Sequence, residues 1–339
     1  MTILTRDQFR SKVFERDGNL CVFCKEPAVD AHHIMERRLF PDGGYYIDNG
    51  ASVCEYHHIE CERTNIAVEQ VREACGIKNI VIPPHLYKDQ VYDKWGNPIL
   101  PNGLRLKGEL FDDESVQKVL SHKLNEFTNY VKYPRTYHLP WSPGMNDDDR
   151  MMKDLSGLEN KQVVVTEKMD GENTTMYQDY IHARSVDSRS HPSRNWIKGF
   201  HSKISYDIPV GWRICVENLY ATHSIHYTDL QSYVYGFSIW NDKNICLSWS
   251  ETLEWLSMLE ICPVPVLYQG IFDKEAIQKA FLKRSKESEC EGYVVRLSTE
   301  FHYKDFRNSV AKYVRPNHVQ TTKHWFHGQQ VVPNGLKIK

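Results

Sequence analysis

Cys21-x2-Cys24 and Cys54-x2-His57 place two chelating pairs about thirty residues apart near the start of this 339-residue chain. Thiolate and imidazole donors in such pairs suit one tetrahedral, structural Zn²⁺. The ion constrains the fold more than any propensity does, because it ties two short segments into a small module. Cys61 lies one helical turn from His57 and rivals it as the fourth ligand. Five of the nine cysteines (Cys21, Cys24, Cys54, Cys61, Cys75) fall in the first 75 residues. The other four (Cys215, Cys246, Cys262, Cys290) sit singly in hydrophobic segments and read as buried thiols. An odd cysteine count and a start without an apolar signal region argue for a reducing, cytoplasmic compartment.

Length suggests about two domains. Seven of eight tryptophans lie from Trp141 onward, so the two ends differ in composition. No run of about 18 apolar residues occurs, so no membrane span is expected. A formal net charge of -2 means that a polyanion would be met by a local patch or a bound cation.

Phe9 and Val13 have helical spacing in residues 5–16, ended by Asp17-Gly18. Residues 51–76 read as one helix stopped by Gly76, residues 80–110 as an irregular connection with one hairpin, and residues 111–127 as a short helix with an acidic first turn. From about residue 130, QVVVTEK, TTMYQDYIHARS, WRICVENLYA, SYVYGFSIW, GYVVRLS and SVAKYVR are β-rich. SETLEWLSMLE and DKEAIQKAFLKRS interrupt them as helices. The pattern predicts an α+β protein dominated by antiparallel sheet, with domains over 1–125 and 126–339.

Within TEKMDGEN, a β-branched strand delivers Lys168 to a glycine turn, where partial desolvation would favour a neutral, nucleophilic amine. This region resembles the RNA ligase branch of the covalent nucleotidyltransferases, over roughly residues 130–325. The resemblance rests on ordered motifs: Lys168, Glu217 in RICVENLYA, Phe237 in YVYGFSIW, Glu291 in ECEGYVVR and Lys312 in VAKYVRPNHV. KYPRTYHLPWSPG resembles the lead-in of that branch, and ARSVDSRSHPSRNW its arginine-bearing segment.

By that resemblance the second domain is a ligase-type adenylyltransferase of antiparallel sheets with flanking helices. Lys168 would carry AMP from ATP, and Glu217 would hold the ribose hydroxyls. Phe237 would stack on adenine, and Glu291 would lie against Mg²⁺ or Mn²⁺. Lys312 and Arg184 would touch phosphate, and Glu167 is a further nucleotide-binding candidate. Attack by the amine requires its pKa to fall from about 10.4 toward neutrality. Many ligases place a second basic residue two positions from the motif lysine. Here Val310 and Val314 hold both positions, and Arg315 is the substitute.

AHHIMERRLFPDGGYYIDNGASVCEYHH resembles the HNH endonuclease motif, which implies a small ββα-metal zinc domain. By that resemblance His33 is the general base, His32 and His58 hold a divalent cation, and Asn49 orients the base or the loop. Glu62 stands where a further histidine is frequent, and a carboxylate suits Mg²⁺ or Mn²⁺. Arg37 and Arg38 suit phosphate contacts. Either the module cuts nucleic acid, or it is a zinc-stabilised platform that holds the ligase substrate.

The expected activity is ATP-dependent sealing of a 3′-hydroxyl to a 5′-phosphate, as in RNA repair. Its partner would be RNA or an RNA-containing nicked duplex, with no membrane and no obligate protein partner. Too few residues follow Arg315 for a C-terminal accessory domain, so the first module is expected to take over substrate clamping. One alternative is an HNH endonuclease or nucleic-acid-binding protein whose ligase-like half is non-catalytic. Another is a capping-type guanylyltransferase.

Overall fold

The computed structural model describes residues 2–145, 149–188, 190–316 and 331–337. The end of KYVRPNHVQT (residues 317–321) and Arg189 of the arginine-bearing segment lie outside them. The chain divides into two compact units, Met1–Val131 and Lys132–Lys339. The sequence boundary at 125/126 lies slightly earlier. Phe127 packs on Phe111 at 4.6 Å and the Thr128 amide donates to Arg105, so these residues stay with the first unit.

In the first unit, α1 (Arg6–Arg16) opens with a reciprocal cap. The Gln8 amide donates to the Thr5 hydroxyl while the Thr5 amide donates to the Gln8 side chain. The helix buries Phe9 and Val13, the expected apolar face. Strands β1 (Asp30–His33) and β2 (Gly50–Val53) pair antiparallel, with His32 opposite Ala51 and His33 opposite Gly50. Then come α2 (Glu55–Glu62) and α3 (Val68–Ala74). The single helix expected over 51–76 is therefore a strand and two helices. Gly50–Val53 are all buried against β1, and Thr64, at a left-handed φ of 59°, follows the end of α2. The expected hairpin is β3 (Val91–Tyr92) with β4 (Pro98–Ile99), and α4 (Glu114–Val119) starts at Asp113, whose carboxylate accepts from the Ser115 and Val116 amides.

Among the described residues, the second unit holds two sheets. Its strands are β5 (Tyr137–His138), β6 (Gln162–Lys168), β7 (Glu172–Met176), β8 (Ile181–Ala183), β9 (Arg213–Asn218), β10 (Val234–Trp240), β11 (Ile245–Cys246), β12 (Cys262–Pro263), β13 (Val266–Ile271), β14 (Gly292–Leu297), β15 (Phe301–His302) and β16 (Val310–Val314). Helices α5 (Asn195–Ile204), α6 (Trp249–Met258), α7 (Lys274–Glu287) and α8 (Phe306–Ser309) complete it. One sheet runs β13-β6-β14-β16-β5, and the other β15-β11-β10-β9-β7-β8 with β12 beside β10. All pairings are antiparallel except β16–β5 and β10–β12. This is the mixed α+β class with antiparallel sheets that the patterning predicts. TTMYQDYIHARS folds back as the hairpin β7–β8.

The alternation of β6 sorts its residues onto two faces. Val163 and Val165 pack with Ile277 and Phe281 of α7, whereas Val164 joins Leu219, Tyr235 and Trp249 in a separate cluster. Gly292 lies between Lys168 and Val314, and a Cβ there would meet the Tyr313 carbonyl at 1.9 Å. Glycine is thus required where β14 comes closest to β16. Among the described residues, no helix is long and apolar enough to cross a membrane.

Candidate active site

Cross-strand register assembles the site. Thr166, Val294 and Lys312 form one row over β6, β14 and β16, and Lys168 lies two residues along from Thr166 on the same face. Glu217, on β9, and Phe237, on β10, come from the other sheet. Lys168, Glu217, Phe237, Glu291, Lys312 and Arg184 all line one cavity of about 680 Å³. That volume suits a nucleotide-sized ligand.

The centre is an ion pair. Lys168 Nζ lies 2.6 Å from Glu291 Oε2, with the lysine side chain 26% exposed and the glutamate 5%. Burial pulls the Lys168 pKa down, but Glu291, Glu217 and Asp170 together hold it above the ordinary lysine range. Nucleophilic attack needs a fall toward neutrality; in this state the carboxylates win. Lys312 moves the other way. Burial lowers its pKa and the like charge of Lys168 adds to this, against the pull of Asp149, 3.2 Å away. Burial pushes Glu217 up to about 8, with Glu291 and Asp170 adding to the rise, while Lys168 and the Gly171 amide oppose it.

The turn after Lys168 is built to be rigid. The Asp170 carboxylate accepts from the Ser224 and Ile225 amides, both at 2.8 Å, so it holds the loop after β9. A Cβ on Gly171 would meet the Asn218 carbonyl at 2.6 Å, which explains the glycine.

Two expected side chains are engaged with other partners. Glu167 lines the cavity, but its carboxylate is turned to α7, where Arg284 Nε donates to it at 2.8 Å. It is the neighbour of Lys168 in an alternating strand, so its side chain takes the opposite face. Arg315 pairs with Glu289 and does not line the cavity. It stands one residue past the end of β16. Val310 and Val314 are buried.

Several cavity residues were missed in the sequence. Asn173, directly opposite Glu217, has a buried side-chain oxygen without a hydrogen-bond partner among the described residues. Glu172 is gripped by Arg194, with Nε at 2.8 and 2.9 Å from its two oxygens. Arg135, Asp149 and His223 also line the cavity. The text EKMDGEN does contain Glu172 and Asn173, but both lie past the turn on β7, and only the β7–β9 register, which sets Asn173 opposite Glu217, shows their place at the cavity.

Residues 161–314 match the sequence model of the RNA ligase family. The matched segment lies wholly within the second unit. No curated protein sequence matches the chain. Among solved structures, an Aquifex aeolicus protein assigned as an ATP-dependent DNA ligase is similar at 20% identity and a TM-score of 0.38, over 55% of this chain and 50% of that one. An archaeal ATP-dependent RNA ligase gives 12% identity and a TM-score of 0.41, over 77% and 64%. A Naegleria gruberi RNA ligase variant solved with ATP and Mn gives 16% and 0.37, over 56% and 57%. The chain thus covers about half the length of the Aquifex protein.

The first unit holds two further clusters. Cys21, Cys24, Cys54 and His57 present ligand atoms within 4.8 Å of one another. The Cys24 and Cys54 sulfurs are 3.7 Å apart, close to the edge of about 3.8 Å that a tetrahedron with 2.3 Å Zn–S bonds requires. Cys61 lies outside the cluster, in the apolar core, where burial pushes its thiol up to about 12. The donor set therefore fits Zn²⁺ with His57 as fourth ligand.

His32, His58 and Glu62 form the second cluster. His32 Nδ1 is 3.4 Å and His58 Nε2 3.9 Å from Glu62 Oε1. Asp30, 3.1 Å from His58 Nδ1, holds that imidazole above its usual pKa and leaves Nε2 toward Glu62. Burial holds the His32 pKa well below the usual imidazole range and pushes His33 down to about 4. His33 stands apart from the trio: alternation along β1 turns its ring onto Phe9, 4.5 Å between centroids, and Tyr45. Asn49 bonds to Met35 and Gly44, so it orients the loop rather than the histidine. Arg38 is bound to Glu36 and Asp113, and Arg37 to the Tyr45 hydroxyl.

Proposed function

We propose that this protein is an ATP-dependent polynucleotide ligase that joins RNA ends through AMP bound covalently to Lys168. The observation that carries the reading is the convergence of Lys168, Glu217, Phe237, Glu291 and Lys312 on one cavity, inside the segment matched to the RNA ligase family. Lys168 Nζ attacks the α-phosphorus of ATP and pyrophosphate leaves. Phe237 stacks on the base, and Glu217 accepts hydrogen bonds from the ribose. Lys312 and Arg184 neutralise phosphate charge. Glu291 would hold Mg²⁺ or Mn²⁺, which suits a hard carboxylate and would supply further charge neutralisation. AMP then passes to a 5′-phosphate, and a 3′-hydroxyl attacks that phosphate to seal the strand with release of AMP. Nine free cysteines accord with a reducing, cytoplasmic setting.

Incubation with α-labelled ATP is expected to give a labelled protein band, and α-labelled GTP none. Labelling by GTP alone would favour capping chemistry, and no labelling would favour a binding protein. Matched nicks with ribose or deoxyribose on either side of the break are expected to seal fastest with ribose, which tests the preference for RNA.

The order β1–β2–α2, with His32, His58 and Glu62 together beside the Cys₃His cluster, supports a second reading. In it the first unit is an HNH-like metal-dependent nuclease with His33 as base. Nicking in Mg²⁺, Mn²⁺ or Ni²⁺ is then expected to fall at least about 100-fold in His33→Ala, the scale of losing a general base. No cleavage in any metal would leave the unit as a zinc-stabilised platform.

A further inference from the structure

Lys94 enters none of the chemistry above, yet its side chain is only 4% exposed. Its ammonium donates to the His33 carbonyl at 2.9 Å and lies 3.1 Å from Glu62 Oε1 and 3.5 Å from Glu36 Oε2. A buried ammonium with three acceptors is a placed charge, because leaving one unpartnered there would be strongly unfavourable. The β3–β4 turn that carries it is braced on all sides. The Glu36 amide donates to the Lys94 carbonyl, and the Trp95 indole donates to the Glu62 carbonyl, both at 2.9 Å. Asp93 is held by Arg105 at 2.8 Å and by Asn97. Lys94 also acts electrostatically on both histidines of the trio.

We propose that Lys94 is a built-in cation of the His32–His58–Glu62 centre, which makes divalent-metal binding there depend on a bound nucleic-acid phosphodiester. The inference rests on the second reading, in which the trio holds a metal. Glu62 is the trio's one carboxylate, and Lys94 already shares it. A divalent cation would therefore add two positive charges beside a fixed one, where the trio's single carboxylate is already paired with Lys94 and the neighbouring Glu36 and Asp30 are engaged with Lys94 and His58. Repulsion between charges a few ångströms apart in a partly desolvated site is substantial. A phosphodiester brings the missing negative charge and meets both the metal and the ammonium. By linkage, metal and strand then strengthen each other's binding by the same factor. A nuclease so built stays largely metal-free until a strand arrives.

Mn²⁺ binding followed by electron paramagnetic resonance tests this in the full-length, zinc-loaded protein. A His33→Ala background keeps the probe, an RNA–DNA duplex oligonucleotide, intact. Sites lost in Glu62→Ala are those of the trio. With Lys94 present, the duplex is expected to tighten trio Mn²⁺ binding at least about tenfold, or about 1.4 kcal/mol. Lys94→Met should bind Mn²⁺ at least about tenfold more tightly without duplex and lose most of the duplex effect. Lys94→Arg, which keeps the charge, should retain it. If Lys94→Met loses zinc and is misfolded, the Lys94 and Lys94→Arg proteins with and without duplex decide. Equal Mn²⁺ affinity in Lys94 and folded Lys94→Met proteins, or no response to duplex, overturns the proposal and leaves the metal reading standing. Absence of trio Mn²⁺ in every form overturns both.

Discussion

Lys168→Ala is expected to abolish labelling by α-labelled ATP, a loss of at least roughly 10⁴-fold, the scale seen when a covalent nucleophile is removed. Lys168→Arg should fail equally, although it keeps the charge, because a guanidinium stays protonated. Phe237→Ala and Glu217→Gln keep the nucleophile and should weaken nucleotide binding instead. The pH dependence follows from the ion pair. Lys168 is held above the ordinary lysine range by Glu291, Glu217 and Asp170, so at pH 6 to 8 only a small fraction of the amine is neutral. Below its pKa that fraction rises tenfold per pH unit. The rate of self-adenylylation should therefore climb between pH 6 and 8, limited by loss of the amine's proton. Removing the partner in Glu291→Gln takes away a cause of the raised pKa. Its rising limb should move to lower pH, even as the maximum rate falls with the lost carboxylate. A labelled band in Lys168→Ala, or a pH-independent rate in the unaltered protein, would contradict this account.

The residues legible in the sequence share one property: each is tied to a local pattern that survives without tertiary context. Lys168 ends a β-branched run, Glu217 and Phe237 sit in β-rich strands, and the cysteine pairs announce themselves by spacing. Hidden residues depend on register or on distant partners. Glu167 is adjacent to Lys168 in sequence and opposite it in space, because one step along a strand changes face. Arg315 stands past the end of β16, where it pairs with Glu289. No local cue links Arg284 to Glu167, or Arg194 to Glu172; each pair needs a helix packed on a sheet. Lys94 lies in the proline-bearing stretch that reads as irregular, and only the folded hairpin brings it to Glu62. The helix misread over 51–76 has the same origin. A buried four-residue strand and the start of a helix look alike until the partner strand is known. For the fourth zinc donor, spacing could not separate His57 from Cys61, one turn apart. Geometry does so, since His57 and not Cys61 is among the ligand atoms that lie within 4.8 Å of one another.

Loss of the zinc cluster should unfold the first unit. Structural zinc in small modules binds with about 10–16 kcal/mol of apparent free energy near neutral pH. Whole domains are stable by only about 5–15 kcal/mol. The first unit has little in reserve, because β1, β2, β3 and β4 are two to four residues long and paired only two by two. Its ligands come from the segment before β1 and from the start of α2, so the ion joins parts that the short ladder alone holds weakly. Cys54→Ser or His57→Ala should lower bound zinc from about one ion per chain toward none, as measured by elemental analysis. Limited proteolysis should then cut within residues 1–131 while the second unit survives and still takes label from ATP. Cys61→Ser should keep the zinc and show only the smaller loss of a buried thiol, about 1–3 kcal/mol, from placing a hydroxyl in the core. If Cys61→Ser sheds the metal and His57→Ala keeps it, the assignment of the fourth ligand is reversed. If neither Cys54→Ser nor chelation alters the first unit, the fold rests on its apolar core, and the cysteine pairs are not its organising element.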